Sequence, residues 1–333
     1  MLLRGLTLTA AMTLLGSAAA LAEMAEITIA RQPSLGHLPL MIMEDRGLLE
    51  ARAAELGVEG LKVNYATLAG GAAMNDALLS GSIQFAAGGV PPLLVLRERT
   101  DGTSSEVKGV SAMNSMPLLL NSNKEGIRSI TDFTSADKIA LPAVKVSIQA
   151  ILLQMAAEKE FGEGEHDRLD AFTITMSHPD GMAALMAKQE VTAHFTASPI
   201  QDLELQNDGV HTVLNSYDIL GGPATFNVVW ASSRFREENP LIYQAFVETL
   251  EEAVGVINSD TDAAVDTYVR LSGDASTPEL VRQIITDPQV SYTTTPNNIG
   301  KYLDFMTRIG TLKQEGATWQ DVFFENVHDK QGS

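Results

Sequence analysis

The residue types that most often do covalent chemistry are present in this chain, but not in catalytic spacing. Ser135 and Lys138 match S-x-x-K, yet no S-D-N or K-T-G element follows. The patterns G-x-S-x-G and H-E-x-x-H are both missing, and the six histidines show no ligand spacing. The acidic stretch "GEGEHDRLD" lacks the alternating oxygen ligands of a calcium loop. We therefore expect no catalytic group, metal or cofactor.

The chain contains no cysteine, which excludes several kinds of site together. A thiol nucleophile, a thiolate metal ligand, a disulfide framework and a lipid-modified cysteine are all impossible. Phosphate-binding loops of the form G-x-x-x-x-G-K-[ST] or G-x-G-x-x-G do not occur at the glycine pairs described next. The remaining candidates are residues that hold a ligand rather than transform one.

Two glycine pairs are the strongest binding signal. In "LAGGAAMNDALLSGSIQFAAGGVPPL", Gly70–Gly71 and Gly88–Gly89 each lie where a predicted strand ends and a helix begins. In open α/β sheets ligands bind beyond the carboxyl ends of strands, where helix N-termini offer unpaired N–H groups to an anion. The alternative interpretation is that glycine only permits tight turns. Two pairs on consecutive units favour a ligand cleft.

Three further residues are candidates on weaker patterns. His194 falls late in the predicted strand of "TAHFTASP", where either a cleft position or a buried core histidine is possible. Ser147 in "VKVSIQ" begins a long predicted helix, either as a simple N-cap or with its helix start facing the cleft. Thr225 in "GGPATF" lies beside a predicted strand, near a hinge or in an ordinary turn.

Alternating strands and helices must position these residues. "EITIARQPS", "LKVNYATLA" and "SIQFAAGG" predict strands separated by helices, and a second series begins near "PLLLNSN". Short connections between strand and helix favour parallel βα units. Beyond "FNVVWASS" the chain is predicted to be helical. The sequence thus predicts an α/β protein of two lobes and a C-terminal helical tail that packs on the first lobe.

The N-terminus and the overall charge indicate where the protein works. Residues 1–22 combine Arg4, an apolar run and a final Ala20-Leu21-Ala22, which is typical of a cleaved secretory signal peptide; a membrane anchor is the alternative. The formal net charge of -19 argues against nucleic acid or an anionic membrane surface as a partner. We expect an exported, periplasmic protein, and a small anionic ligand remains compatible with this charge.

In order along the chain, these segments resemble the substrate-binding proteins of nitrate/sulfonate/taurine-type ABC importers, a group with thiamine-precursor-binding relatives. The resemblance is carried by "ITIARQPSLGHLPLMIMEDRGLLE", "GGAAMNDALLSGSIQFAAGG", "KIALP", "LQMAAEKEFG" and "AFVETLEEAVGVI". It implies a type II periplasmic-binding-protein fold, with two α/β lobes joined by two crossover strands. Residues 23–120 and 226–333 would form lobe 1, and residues 121–225 would form lobe 2.

The resemblance also implies a ligand site in the cleft between the lobes and closure by a hinge motion. We expect backbone N–H groups near Gly71 and Ser147 to bind the anion, His37 or His194 to add a donor, and Phe195 to form an apolar wall. The predicted ligand-binding residues are Ser34, Leu35, Gly36, His37, Gly70, Gly71, Ala72, Gly89, Val90, Val144, Lys145, Ser147, His194, Phe195 and Thr225.

The expected partners are a small ligand, a sulfonate or taurine first among anions, and an ABC permease; we expect a monomer that does no chemistry. Three alternatives remain open at this point. The chain could be a periplasmic sensor that presents a partner surface, or a receptor for a thiamine-type pyrimidine precursor or an aromatic acid. An enzyme of the pyrimidine-forming kind would resemble relatives with a cysteine-rich iron site, which a cysteine-free chain cannot build.

Overall fold

The structure is a computed structural model that describes residues 23–333. The predicted signal peptide, residues 1–22, lies outside the described residues. The strands are β1 (Glu26–Arg31), β2 (Lys62–Thr67), β3 (Phe85–Gly89), β4 (Val107–Ala112), β5 (Asn114–Ser115), β6 (Leu119–Ser122), β7 (Ile139–Leu141), β8 (Thr173–Thr175), β9 (Ala193–Phe195), β10 (His211–Asn215), β11 (Asn227–Ser232) and β12 (Ser291–Tyr292).

Helices fill most of the connections between these strands. They are α1 (Leu38–Arg46), α2 (Leu48–Glu55), α3 (Gly71–Leu79), α4 (Val90–Thr100), α5 (Ile148–Phe161), α6 (His178–Ala187), α7 (Ile200–Leu205), α8 (Ser216–Leu220), α9 (Ser233–Glu238), α10 (Pro240–Ser259), α11 (Thr261–Ser272), α12 (Pro278–Ile285), α13 (Ile299–Arg308) and α14 (Trp319–Val322). Short 3-10 helices lie at Leu35–His37, Ile130–Asp132, Asp170–Phe172 and Glu325–Val327.

Two five-stranded sheets form the cores of two lobes. The first sheet has the order β2-β1-β3-β11-β4, and the second has the order β10-β6-β9-β7-β8. In the first, β1 pairs in parallel with β2 and β3, whereas β11 runs antiparallel to β3 and β4. In the second, β7 pairs in parallel with β8 and β9, and β6 is antiparallel to β9 and β10. The predicted two-lobed α/β architecture is confirmed.

The chain crosses between the sheets twice. It leaves the first sheet after β4, forms β5, which pairs with β12 in a small two-stranded sheet, and enters the second sheet at β6; it returns between α8 and β11. These paired crossings are the geometry that permits a hinge between lobes. The lobe boundaries at residues 120 and 225 stay predictions.

The helical tail packs on the first lobe, as the sequence predicts. Helix α10 contacts α1 and α2, and α11 contacts α1. Phe246 of α10 stacks on Phe85 of β3, with ring centroids 3.8 Å apart. Helix α13 goes further, because it contacts both α4 of the first lobe and α5 of the second. Within residues 23–333, no helix has the length and apolar character needed to cross a membrane.

Candidate functional site

A small cavity lies between the two lobes where helices from both converge. Its volume is about 10 Å³, roughly the space of a single water molecule. We call it the interlobe cavity, and its lining residues are Gln32, Gly71, Gly89, Pro92, Pro142, Ser147, Ile148, Gln149, His178 and Phe226. These lining residues include no carboxylate and no Lys or Arg side chain. An anion such as a sulfonate needs the lobes to separate before it can enter, and the cavity must widen to hold it.

Four helices begin at this cavity. The first residues of α3, α4, α5 and α6 are Gly71, Val90, Ile148 and His178. A helix N-terminus carries about half a positive charge on N–H groups that lack intrahelical partners. No side chain caps the start of α3, so its first N–H groups are left for another acceptor. In α4, prolines in the first turn remove donors, so its contribution is mainly the dipole.

One glycine of each pair faces the opposite lobe. A Cβ atom built on Gly89 would lie 2.8 Å from the Cβ of Ile148, which belongs to the second lobe. A Cβ atom on Gly70 would lie 3.4 Å from the carbonyl oxygen of Pro142, also in the second lobe. Real Cβ atoms do not approach as closely as the first of these distances. Glycine at position 89 thus lets the lobes come into contact.

The other glycine of each pair packs inside its own lobe. A Cβ on Gly71 would collide with the ring of Pro92. A Cβ on Gly88 would lie 3.2 Å from the indole of Trp230 and 3.2 Å from the side-chain oxygen of Gln32. The two pairs therefore combine both interpretations that the sequence left open: close packing within the lobe, and close approach between lobes.

Ser147 caps α5 at the second-lobe side of the interlobe cavity. Its hydroxyl donates to the carbonyl oxygen of Ala143 (2.8 Å) and accepts from the N–H of Ala150 (3.2 Å). The hydroxyl is thus engaged in holding the loop against the helix start. Ser147 is both an N-cap and a lining residue of the cavity.

Two buried histidines lie at or near the cavity, one from each lobe. His178 begins α6, and its Nδ1 is hydrogen-bonded to the Thr196 hydroxyl at 2.6 Å. Burial lowers the pKa of His178 to about 3. Burial, then the charge of Arg31 and the nearby His178, lower the pKa of His37 to about 3 as well. Both imidazoles are neutral at physiological pH, and neither ring nitrogen of His37 has a hydrogen-bond partner among the described residues.

His194 lies inside the second lobe rather than on the cavity lining. Its Nδ1 is 2.5 Å from Oε1 of Glu204, and both side chains are fully buried. A Cβ on Gly181 would collide with the other edge of the ring. The neighbouring Phe195 is also fully buried. The ring sits behind His178, at 6.2 Å between ring centroids, so its position is that of a supporting residue.

The loop after β1 is held against the second lobe. The N–H of Leu35 donates to the carbonyl oxygen of Ser198 (2.9 Å), and the Ser34 hydroxyl donates to the same oxygen (3.3 Å). Gly36 packs tightly on Asn227 within the first lobe. These contacts join the two lobes beside the interlobe cavity.

The remaining predicted residues are spread around this region. Thr225 is buried, and its hydroxyl and N–H bond to the backbone of Asn297 in the tail. The N–H of Val144 donates to the Thr175 hydroxyl at 3.1 Å. Lys145 is exposed with φ 64°, Ala72 is exposed in the first turn of α3, and Val90 is buried.

Several lining residues are absent from the sequence-based prediction. They are Gln32, Pro92, Pro142, Ile148, Gln149, His178 and Phe226. Gln32, Pro142 and His178 follow β1, β7 and β8, strands with parallel partners, so the rule that ligands lie beyond strand carboxyl ends could have found them. Within the described part of the chain, no cluster of His, Asp and Glu could hold a metal ion.

A family model described as the NMT1-like family matches residues 20–272 of this chain. No curated protein matches the sequence at a significant level. Several solved structures have a similar fold, which supports the predicted resemblance and the type II binding-protein architecture.

The alkanesulfonate-binding protein SsuA from Xanthomonas axonopodis pv. citri is 21% identical, with TM-score 0.65, over 82% of this chain and 87% of that chain. The periplasmic aliphatic sulphonate binding protein SsuA from Escherichia coli is 16% identical, with TM-score 0.65, over 91% of this chain and 93% of that chain. The periplasmic nitrate-binding protein NrtA from Synechocystis PCC 6803 is 14% identical, with TM-score 0.68, over 88% and 84% of the two chains.

Proposed function

Because the chain belongs to the NMT1-like family, we propose that it is the solute-binding receptor of an ABC importer and captures a small anion between its lobes. The three solved proteins described above are binding proteins for sulfonates or nitrate, and the Xanthomonas protein is bound to MOPS, a sulfonate. A sulfonate of the taurine type is our first choice of ligand. The protein does no chemistry; it holds, releases and presents its solute.

The convergence of helix N-termini on the interlobe cavity carries this proposal. Helices α3, α4, α5 and α6 all begin there, and the lining residues bring no carboxylate that would repel an anion. The dipoles and N–H groups act at short range, so the net charge of -19 over the whole chain does not prevent anion binding. Neutral histidine and the Gln32 and Gln149 amides add hydrogen-bonding groups without a full charge.

Closure would couple binding to transport. In the closed arrangement, Gly89 contacts Ile148 and Leu35 bonds to Ser198, so both lobes present a joined surface. A ligand that binds the closed form more tightly shifts the population towards it. We propose that an inner-membrane permease recognises this closed surface. The receptor then works in the periplasm as a monomer, and residues 1–22 direct its export.

A thermal-shift comparison of isosteric compounds tests the charge requirement. Purified residues 23–333 are melted with methanesulfonate, taurine or nitrate, and with dimethyl sulfone as the uncharged counterpart of methanesulfonate. A ligand at 100 times its dissociation constant adds about 2.7 kcal/mol to the unfolding free energy. We expect at least one anion to raise Tm and dimethyl sulfone to leave it unchanged. Stabilisation by neutral or cationic compounds alone would overturn the proposal.

A further inference from the structure

A second and much larger cavity lies directly beside the interlobe cavity. Its volume is about 320 Å³, at the small end of the range for small-molecule pockets, roughly 300–1,000 Å³. We call it the side chamber. Its lining residues are Arg31, Gln32, Pro33, Ser34, Met41, Thr67, Pro179, Pro199, Ile200, Tyr268, Leu271, Ser272, Gly273 and Asp274.

Both lobes build the side chamber. Pro179, Pro199 and Ile200 come from the starts of α6 and α7 in the second lobe, whereas Met41 and Leu271 come from α1 and α11 of the first lobe and its tail. The hydrogen bond from the N–H of Leu35 to the carbonyl oxygen of Ser198 joins the lobes. These two residues are adjacent in sequence to the lining residues Ser34 and Pro199. The complete chamber therefore exists only when the lobes are closed, as the interlobe cavity does.

A single side chain belongs to the walls of both cavities. Gln32 lines the interlobe cavity and the side chamber, and its amide nitrogen donates to the carbonyl oxygen of Ala69 at 3.3 Å. This bond lies at the long end of the hydrogen-bonding range, so little free energy is lost when the Gln32 amide turns to a ligand instead. A ligand seated at the helix N-termini can extend past Gln32 into the chamber.

The charged groups of the side chamber already have partners. Arg31 forms an ion pair with Glu44 at 2.5 Å, and its guanidinium lies over the Tyr65 ring at 5.4 Å from the centroid. The Tyr268 hydroxyl donates to the Asp274 carboxylate at 2.6 Å. Arg31 is thereby paired with a carboxylate, whereas the partner of Asp274 is a neutral hydroxyl, so only the first of these pairs balances charge.

Apolar side chains line much of the remaining wall, beside the polar side chains of Ser34, Thr67 and Ser272. Met41 and Ile200 are almost fully buried, at 4% and 6% exposure, and Leu271 and Pro199 complete the surface. A surface of this kind gains free energy by covering an apolar group, in proportion to the area removed from water. The chamber complements hydrocarbon, whereas the neighbouring cavity complements an anion.

We propose that the side chamber is a subsite for the apolar body of an organic anion whose charged head lies in the interlobe cavity. The proposal rests on the proposed function for the head, and it favours sulfonates or carboxylates with a hydrocarbon tail over nitrate or bicarbonate. Each methylene moved from water into the chamber strengthens binding about fourfold.

Isothermal titration calorimetry with methanesulfonate and hexane-1-sulfonate measures the tail contribution. We expect hexane-1-sulfonate to bind the wild-type protein at least about tenfold more tightly, since several methylenes enter the chamber. Affinities within threefold of each other would overturn the proposal, while methanesulfonate binding would still support the anion site.

Two substitutions fill the chamber from opposite sides. Leu271→Trp acts from the half-buried end of α11, and Pro179→Trp acts from an exposed position of the second lobe. Both should abolish the preference for hexane-1-sulfonate and leave methanesulfonate affinity within threefold. The matched control is Leu205→Trp, an exposed position of α7 outside the chamber, which should keep the tail preference. A preference that survives both chamber variants would contradict the subsite.

A probe without an anionic group tests the side chamber independently of the proposed anion site. If neither sulfonate binds, the anion site fails, and saturation-transfer NMR with 1-hexanol then tests the chamber alone. Transfer to 1-hexanol in the wild type and its loss in Leu271→Trp would support an apolar subsite. No transfer in the wild type under those conditions would overturn it.

Discussion

The two lobes meet at the same cavity but contribute different chemistry. The first lobe brings mainly backbone, through glycines at the starts of α3 and α4, neither of which has a side-chain cap; Gln32 is its one lining side chain with hydrogen-bonding groups. The second lobe brings side chains: Ser147 and Ser177 cap α5 and α6, and His178 begins α6. The first lobe is thus shaped mainly for close approach, whereas the second supplies most of the hydrogen-bonding side chains.

The largest effect should come from the interior of the second lobe. Glu204→Ala removes the partner of His194 and one acceptor of Asn121, whose amide donates to Glu204 at 3.0 Å. A buried polar group left without its partner costs about 1–3 kcal/mol, so with two such groups we expect the unfolding free energy in urea titrations to fall by about 2–6 kcal/mol. Glu204→Gln should lose less, because an amide oxygen can still accept.

Ligand affinity of the folded Glu204→Ala protein should stay within about threefold of the wild type. A large affinity loss with unchanged stability would place His194 among the ligand contacts and would break the division between supporting and contacting residues.

Gly89→Val tests the close approach directly. Any Cβ at position 89 meets Ile148 of the other lobe, so the lobes cannot reach the closed arrangement. We expect at least a 100-fold loss of methanesulfonate affinity by calorimetry, with the thermal melt changed little. Gly109→Ala in β4 is the matched control, since its Cβ would press on the Phe323 ring, away from the interlobe cavity. That variant should lose stability and keep affinity; equal affinities for both variants would contradict the account.

Both lobes bury a neutral histidine, which predicts a pH-dependent stability. The pKa values of His37 and His178 are about 3 in the folded protein and 6.5 in the unfolded chain. Between these two pH values, the unfolded chain therefore binds two more protons than the folded protein. Burial raises the pKa of Asp202 to about 6, so this carboxyl binds one extra proton in the folded state between pH 6 and 4. Counting these three groups, one net proton is taken up on unfolding near pH 5; carboxyls with a lowered pKa, such as Glu248 and Glu325, make the fall in stability steeper below that pH.

The unfolding free energy should therefore fall as pH falls through 6.5, with a slope of about 1.4 kcal/mol per pH unit near pH 5. Asp202→Asn removes the opposing proton, and the slope should approach about 2.7 kcal/mol per pH unit. Urea titrations between pH 7 and 5 measure both slopes. A slope of zero, or stability that rises on acidification, would show that these histidines are not buried and neutral.

The smallest expected effect is at the cap of α5. Ser147→Ala removes the bond to the N–H of Ala150, and the loss of an N-cap costs about 1 kcal/mol. We expect this loss in the unfolding free energy, together with a tenfold or smaller loss of methanesulfonate affinity. Ser147→Gly should cost only a few tenths of a kcal/mol in stability. An alanine variant with full affinity would limit the role of Ser147 to helix capping.

The difference between the lobes also explains what the sequence could predict. Glycine pairs at strand ends and a serine before a long apolar helix are local patterns, and Gly71, Gly89 and Ser147 line the cavity. Gln32 directly follows β1 and His178 begins α6 shortly after β8, so the strand-end rule could have marked them, but neither belongs to a glycine pair or is a helix cap.

His194 shows why a position late in a predicted strand does not identify a ligand contact. It lies in β9, in the interior of the second sheet between β6 and β7, and its side chain meets Glu204 of α7 rather than the cavity. Strand side chains alternate between faces that helices cover, so only residues beyond the strand end reach the cleft. The fold class needed only the order of strands and helices, whereas the site depends on which loop residues the two lobes bring together.

If an anion draws the lobes together, a distance measured across the cleft should shorten when the anion binds. Because the natural chain has no cysteine, Ala73→Cys on α3 and Ala183→Cys on α6, both at exposed positions, give a clean pair of spin-label sites. We predict a distance distribution that shifts to shorter separations on adding methanesulfonate and stays unchanged with dimethyl sulfone. Bound methanesulfonate with an unchanged distribution, or an equal shift with dimethyl sulfone, would contradict the account.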